Sequence, residues 1–115
     1  MIEKIGVDIS KNERFRDFIF DVKKYGKILS PQEIVIFNGF DLEKRRIEYL
    51  ASRFSGKEAL YKAYNKKFSF DKVSILNDET GAPYIEADFL NEYIIHISLS
   101  HETDNSIAFV ILEKK

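Results

Sequence analysis

Arg53-Phe54-Ser55-Gly56-Lys57-Glu58-Ala59-Leu60-Tyr61-Lys62 decides how this chain is read. Apolar residues recur upstream of it at Ile47, Leu50, Ala51 and Phe54, the spacing of a helix face turned toward a core. The next position on that stripe is an acid, Glu58, with Lys62 one turn later. A carboxylate on a core-facing stripe must be paired, protonated or bound to a metal, because burying it alone is too costly. The ordinary partner is Lys62, in the favourable Glu-to-Lys order at i, i+4. Arg53 and Lys57 lie one turn apart on a neighbouring strip and, with Lys62 beyond, have the spacing of a phosphate clamp; solvated surface is the commoner use of such residues.

Working outward, the long helix is expected to open at Asp41 or Leu42 and to run to about Tyr64. Before it, Ser30-Pro31-Gln32-Glu33 is a helix start, with a capping Ser, Pro in the first turn and Glu three residues after the Ser. Asn38-Gly39 ends that helix. Residues 12–20 read as a further short helix. At the N-terminus Ile5, Val7 and Ile9 alternate with Lys4, Gly6 and Asp8, as in a half-buried strand with Asp8 opposite the apolar face. Strand-like runs follow the long helix at 70–77, 83–87, 93–100 and 106–113, and Asp78-Glu79-Thr80-Gly81 makes 70–87 a hairpin. Helices first and meandering strands later define an α+β fold with a mainly antiparallel sheet.

The 115 residues suffice for one domain spanning 1–115, with a genuine core. With 44% hydrophobic and 32% charged residues the chain is globular, not disordered. There is no cysteine, so disulfides, thiolate metal sites and a cysteine nucleophile are excluded. No signal-like apolar run opens the chain, and no stretch approaches the ~20 apolar residues needed to span a membrane. A cytoplasmic protein without membrane contact is expected. Residues 1–30 carry seven Lys/Arg against five Asp/Glu and residues 41–67 eight against four, whereas residues 68–115 carry three against nine. The basic part invites an acidic partner, although Lys and Arg that merely solvate helix faces give the same tally. A pI near 6.1 and the lack of a basic-aromatic ribbon argue against nucleic acid.

Two further groups carry chemistry. Asp8 sits in a strand, where aspartate is depleted; taken alone it is an exposed strand-end acid or a cap. Tyr93 to His101 alternates, with Ile94, His96, Ser98 and Ser100 on one face and Tyr93, Ile95, Ile97, Leu99 and finally His101 on the other. A strand-end histidine beside serines can bind phosphate or shuttle protons, though one such histidine is more often plain surface. No glycine-rich phosphate loop of the usual nucleotide-binding kinds is present.

Ile5-Gly6-Val7-Asp8-Ile9, Arg14-Phe15, Arg53 to Ala63, and His96-Ile97-Ser98-Leu99-Ser100-His101 together resemble the holo-[acyl-carrier-protein] synthases, the small 4′-phosphopantetheinyl transferases. The resemblance is collinear over essentially the whole chain and includes Ile28 to Glu33 and Asp78 to Tyr84. It implies the 4′-phosphopantetheinyl transferase fold, with one long central helix and shorter helices packed on a mainly antiparallel sheet. It also implies Mg2+-dependent transfer of the 4′-phosphopantetheine arm of coenzyme A to a serine of an apo acyl carrier protein, leaving adenosine 3′,5′-bisphosphate, a step that serves fatty acid biosynthesis. Asp8 and Glu58 match magnesium ligands, and Lys62 matches the lysine near the reacting phosphate. Either Glu58 or a water takes the serine proton. Arg53 and His101 match positions associated with coenzyme A phosphates. Arg14, with Arg16, Lys23 and Lys24 nearby, matches the place where the acidic carrier protein docks. A homotrimer with sites at subunit interfaces is implied as well. A catalytically weak module of the same fold, binding carrier protein or coenzyme A, is the alternative. Two departures stand out. Lys62-Ala63-Tyr64-Asn65-Lys66-Lys67 lacks the glycines usual after the lysine, leaving Lys66 and Lys67 for phosphate contacts, and an acid, Glu102, follows His101.

Overall fold

The computed structural model describes all of residues 1–115 and follows the α+β plan. Strand β1 (Ile2–Lys11) leads through 3-10 turns at Asn12–Phe15 and Phe18–Phe20 to a single-turn helix α1 (Val22–Tyr25). Helices α2 (Pro31–Asn38) and α3 (Glu43–Tyr64) follow, then strands β2 (Ser74–Asn77), β3 (Pro83–Glu86), β4 (Tyr93–His101) and β5 (Asn105–Lys114). The short helix expected over 12–20 is therefore two 3-10 turns, and the run at 70–77 is a strand only from Ser74. Strands β1, β5 and β4 form one antiparallel sheet in that order, and β2 pairs with β3 as a separate hairpin.

Local chemistry accounts for the helix boundaries. The Ser30 Oγ accepts the Glu33 N–H at 3.2 Å, and Glu33 Oε1 accepts the Ser30 N–H at 2.9 Å, a complete capping box behind Pro31. Helix α3 stops where Asn65 enters the left-handed region at φ 60°, so asparagine takes the capping place that glycine more often fills. Helix α3 is the spine of the molecule. One core cluster packs its first half against Phe15, Leu29 and Phe37, and a second packs Ala59, Leu60 and Ala63 against Val110, Leu112 and Val73.

Strand β1 faces the opposite way from its hydrophobic pattern. Gly6 and Ser10 are buried and Asp8 is half-buried against α3, whereas Ile5, Val7 and Ile9 are 61%, 52% and 62% exposed. The cause is closeness. A Cβ placed on Gly6 would lie 2.0 Å from the carbonyl oxygen of Ala59, so strand and helix backbones touch where only glycine fits. Ser10 and Ser55 add a buried hydrogen bond of 2.6 Å between the same two elements. The displaced apolar face joins Ile107 and Phe109 of β5 and Ile94 of β4 on the outer side of the sheet.

One buried ion pair locks α3 against the rest. Lys57, fully buried, pairs with the equally buried Glu33 of α2 and donates to the carbonyls of Ile28 at 2.6 Å and Phe70 at 3.0 Å. The second Glu33 oxygen accepts the Ile75 N–H at 2.8 Å. Such a pair is tolerable because all three ammonium donors of Lys57 are used and both oxygens of Glu33 accept hydrogen bonds.

Replacing Gly6 by Ala should push β1 off α3 and cost about 1–3 kcal/mol, the usual range for overpacking. Urea unfolding would register this as a lower midpoint with an unchanged slope. Wild-type stability in the variant would show that the contact is looser than described.

Candidate active site

Asp8 is carried to α3 by the Gly6 contact, two residues along β1. There its Oδ1 accepts from Lys62 Nζ at 3.1 Å, and Lys62 also donates to the Val7 carbonyl at 3.0 Å. The other oxygen, Asp8 Oδ2, is buried and has no hydrogen-bond partner. Glu58 is half-buried beside it. Burial, and then the charge of Asp8, push the Glu58 carboxyl above its ordinary range, while Lys62 and Arg14 pull it partly back. The partner expected for Glu58 thus goes elsewhere: Lys62 bonds Asp8, and two carboxylates are left side by side with an unfilled oxygen. Arg14 completes the group from the first 3-10 turn, its guanidinium 4.6 Å from the centre of the Phe54 ring.

That arrangement suits a hard divalent cation. Two neighbouring carboxylates and an orphaned buried oxygen are what an oxygen-seeking ion would satisfy, and magnesium commonly binds one or two protein carboxylates plus substrate phosphates. No group of three or more His, Cys, Asp or Glu side chains is gathered anywhere in the chain, so an all-protein metal cage is not present.

Arg53 and His101 are brought together with each other, but not with Asp8 and Glu58. They line a cavity of about 530 Å³ between α3, the end of β4 and the β2–β3 hairpin. Arg53 is nearly buried. Its Nε donates to the Ile75 carbonyl at 3.2 Å, Nη1 to Ser52 Oγ at 3.1 Å and Nη2 to Asn77 Oδ1 at 2.7 Å, which leaves two of its five N–H donors free. Strand β1 and strand β4 are the two outer strands of the three-stranded sheet, so the carboxylate pair and the Arg53–His101 cavity lie toward opposite edges.

Lys57 does not join any phosphate clamp, since it is consumed by the buried pair with Glu33. Lys66 and Lys67 are exposed beyond the end of α3, with the Lys66 ammonium 5.5 Å from the centre of the Tyr64 ring. Glu102 is occupied by the β4–β5 turn, where its Oε1 accepts the Asp104 N–H at 3.1 Å and Asn105 Nδ2 at 2.8 Å. One important residue is not legible from sequence: Glu33 reads only as a cap, yet it is the buried partner of Lys57.

Comparison with known proteins places this geometry. A family model described as the 4′-phosphopantetheinyl transferase superfamily matches residues 4–111. The holo-[acyl-carrier-protein] synthase of Acholeplasma laidlawii is 37% identical over 118 residues, covering 100% of this chain and 99% of that relative. Its counterpart from a Geobacillus species is 39% identical over 120 residues, covering 99% and 98%. Among solved structures, a holo-(acyl-carrier-protein) synthase from Bacillus anthracis in complex with CoA (3′,5′-ADP) superposes with a TM-score of 0.89 at 31% identity, covering 100% of this chain and 99% of that one. The synthase from Neisseria meningitidis superposes at 0.87 with 32% identity, covering 99% and 100%. The chain belongs to the 4′-phosphopantetheinyl transferase superfamily. Within it the chain is a holo-[acyl-carrier-protein] synthase by family, an enzyme of that type.

Glu58 also has a signature in the protein alone. Its carboxyl is raised on folding, so the folded state binds the proton more tightly than the unfolded state. The resulting destabilisation is absent below the unfolded carboxylate range and fully present above the raised folded value. Glu58→Gln should therefore melt higher than wild type at neutral pH without added metal, with the gap closing as the pH falls through the raised folded value and gone below about 4. A gap that is constant with pH, or reversed, would contradict this assignment.

Proposed function

We propose that the chain transfers the 4′-phosphopantetheine arm of coenzyme A to a serine of an acidic apo acyl carrier protein in a Mg2+-dependent reaction, with Asp8 and Glu58 as metal ligands. The observation that carries the reading is the unpartnered Asp8 Oδ2 beside the raised Glu58 carboxyl, an acidic pair that lacks only a cation. When bound, magnesium would neutralise the pyrophosphate of coenzyme A and ease departure of its nucleotide.

The remaining work falls to side chains of this protein. Lys62, tethered by Asp8 and the Val7 carbonyl, holds a positive charge beside the carboxylates, where the reacting phosphate would lie. The serine oxygen bonds to the phosphorus that carries the pantetheine, and the bond from that phosphorus to the bridging oxygen breaks. Adenosine 3′,5′-bisphosphate leaves with that oxygen. Glu58, made more basic by burial and by Asp8, is the group of this chain suited to take the serine proton. Catalysis of this kind rests mostly on positioning and charge neutralisation. Arg14 stands exposed at the rim of the same site, with Lys23 and Lys24 further along the basic segment. These charges fit an acidic carrier and would speed and orient its arrival.

Two features of the single chain support assembly with further copies. The outer sheet face carries exposed Ile5, Val7, Ile9, Ile94, Ile107 and Phe109, an apolar surface of the kind that marks an interface. The carboxylate pair and the Arg53–His101 cavity lie toward opposite edges of the sheet. A homotrimer that covers this face and sets one chain's carboxylates against its neighbour's cavity would give coenzyme A both halves of its site. The carboxylate pair borders neither of the chain's own two cavities, which suits a site closed by a second chain.

Apo carrier protein incubated with coenzyme A, Mg2+ and the wild-type protein should gain the mass of one phosphopantetheine arm, read by mass spectrometry. Asp8→Asn and Glu58→Gln should each lower the rate by about a hundredfold or more, the loss typical of removing a group that offsets transition-state charge. Co-refolded Asp8→Asn and His101→Ala chains should regain activity that neither variant has alone, since mixed assemblies contain intact composite sites. A carrier left unmodified by high concentrations of wild type would contradict the transferase assignment, and failure of the mixture alone would contradict the shared site.

A further inference from the structure

Lys57 and Glu33 are charged yet fully buried, and no step of the proposed reaction uses either of them. Stability does not account for them, because apolar side chains of similar volume in place of a buried ion pair often leave a protein equally stable or more so. What apolar packing does not supply is direction. The Lys57 ammonium bonds α3 to the Ile28 carbonyl ahead of α2 at 2.6 Å, to Glu33 within α2, and to the Phe70 carbonyl after α3 at 3.0 Å. Glu33 extends the same set of bonds to the Ser30 N–H at 2.9 Å and to the Ile75 N–H of β2 at 2.8 Å.

The next residue along α3 is Glu58, turned about 100° further around the helix axis. On the β1 side, α3 is held by the backbone contact of Gly6 with Ala59 and by the hydrogen bond between Ser10 and Ser55. A helix held along one line can still roll about that line. A roll of about 10° would carry a side-chain tip, about 5–6 Å from the axis, through about 1 Å. A misplacement of that size is enough to slow a reaction about a hundredfold. Asp8 and Glu58 have no third acid or histidine gathered with them to take up such a shift.

We infer that Lys57 and Glu33 are positioning residues for the metal-binding pair: their bonds stop α3 from rolling and so keep Glu58 within reach of the cation it shares with Asp8. The bonds reach the segment before α2, α2 itself, the 3-10 turn after α3 and β2, all away from the β1 contact. Neither residue touches metal or substrate. Each acts through Glu58, and the directional bonds of a buried ion pair do what an apolar side chain at position 57 would not.

This inference rests on the metal assignment proposed above, and one set of measurements separates the two. Wild type is compared with Lys57→Met/Glu33→Gln, which removes both charges together and strands neither, and with the milder Lys57→Gln. Leu90→Ala, at a buried position outside α2, α3 and β1, controls for lost stability. Each protein is checked by circular dichroism and melting. Mn2+ affinity in the presence of coenzyme A is then measured by calorimetry, and the Mg2+ dependence of transfer is measured well below the melting temperature. The double variant should bind Mn2+ about tenfold more weakly and need about tenfold more Mg2+ for half its maximal rate, the lower end of what losing a ligand-orienting partner costs. Lys57→Gln should shift both in the same direction by a smaller factor. Leu90→Ala should melt lower yet keep the metal affinity of wild type. A folded double variant with wild-type Mn2+ affinity and Mg2+ requirement would overturn the positioning role, and so would a Leu90→Ala protein that loosens the metal as much. Should the double variant not fold, unchanged Mn2+ affinity in Lys57→Gln would overturn it equally. A wild-type protein with neither Mn2+ binding nor a Mg2+ requirement would overturn the metal assignment itself.

Discussion

The approach of β1 to α3 at Gly6 and Ala59 governs the rest of this molecule. Most strands lie against a helix through a layer of side chains, but here the backbones touch, since even a methyl group on Gly6 would meet the Ala59 carbonyl oxygen at 2.0 Å. One consequence is that Asp8, two residues further along the strand, is delivered to the flank of α3 that carries Glu58 and Lys62. Another is that the large apolar side chains of β1 cannot point inward. Ile5, Val7 and Ile9 are turned out, and the sheet acquires the exposed apolar face that another chain would cover. The acidic pair and the exposed apolar face are therefore two outcomes of the same close contact.

The buried Lys57–Glu33 pair plays the complementary part on the other flank of α3. Lys57 and Glu58 are neighbours in sequence, yet one is fully buried while the other is half-exposed at the site. Fixing Lys57 to Glu33, to the Ile28 carbonyl and to the Phe70 carbonyl settles the rotation of the helix about its axis. The same pair ties α2 and the segment after α3 to one point. A buried ion pair is weak evidence for stability as such. Its plainer effect here is geometric, since it leaves Glu58 facing Asp8 and Arg53 facing the hairpin.

Much of this was legible in the sequence, and the failures share a cause. The capping box at Ser30 and Glu33, the extent of α3 and the Asp78–Gly81 turn rest on contacts between near neighbours, and each stands where local rules put it. The alternation in β1 revealed two faces but not which was covered; that is decided by how close a distant helix comes. Lys57 resembled a surface or phosphate-binding lysine because its counterion is 24 residues away. Glu58 was recognisable as an acid in need of a partner, but helical spacing alone named Lys62. Only resemblance to known transferases coupled it to Asp8, and the pairing of Lys62 with Asp8 shows why spacing along one helix could not.

The claim on which everything else depends is that Asp8 and Glu58 hold the cation that engages coenzyme A. Crystals of the protein grown with coenzyme A and Mn2+ would test it directly through the anomalous signal of the metal. The account predicts one strong peak between the Asp8 and Glu58 carboxylates, close to the pyrophosphate oxygens. Coenzyme A bound in full with no peak there, or with the metal seated on other residues, would contradict it.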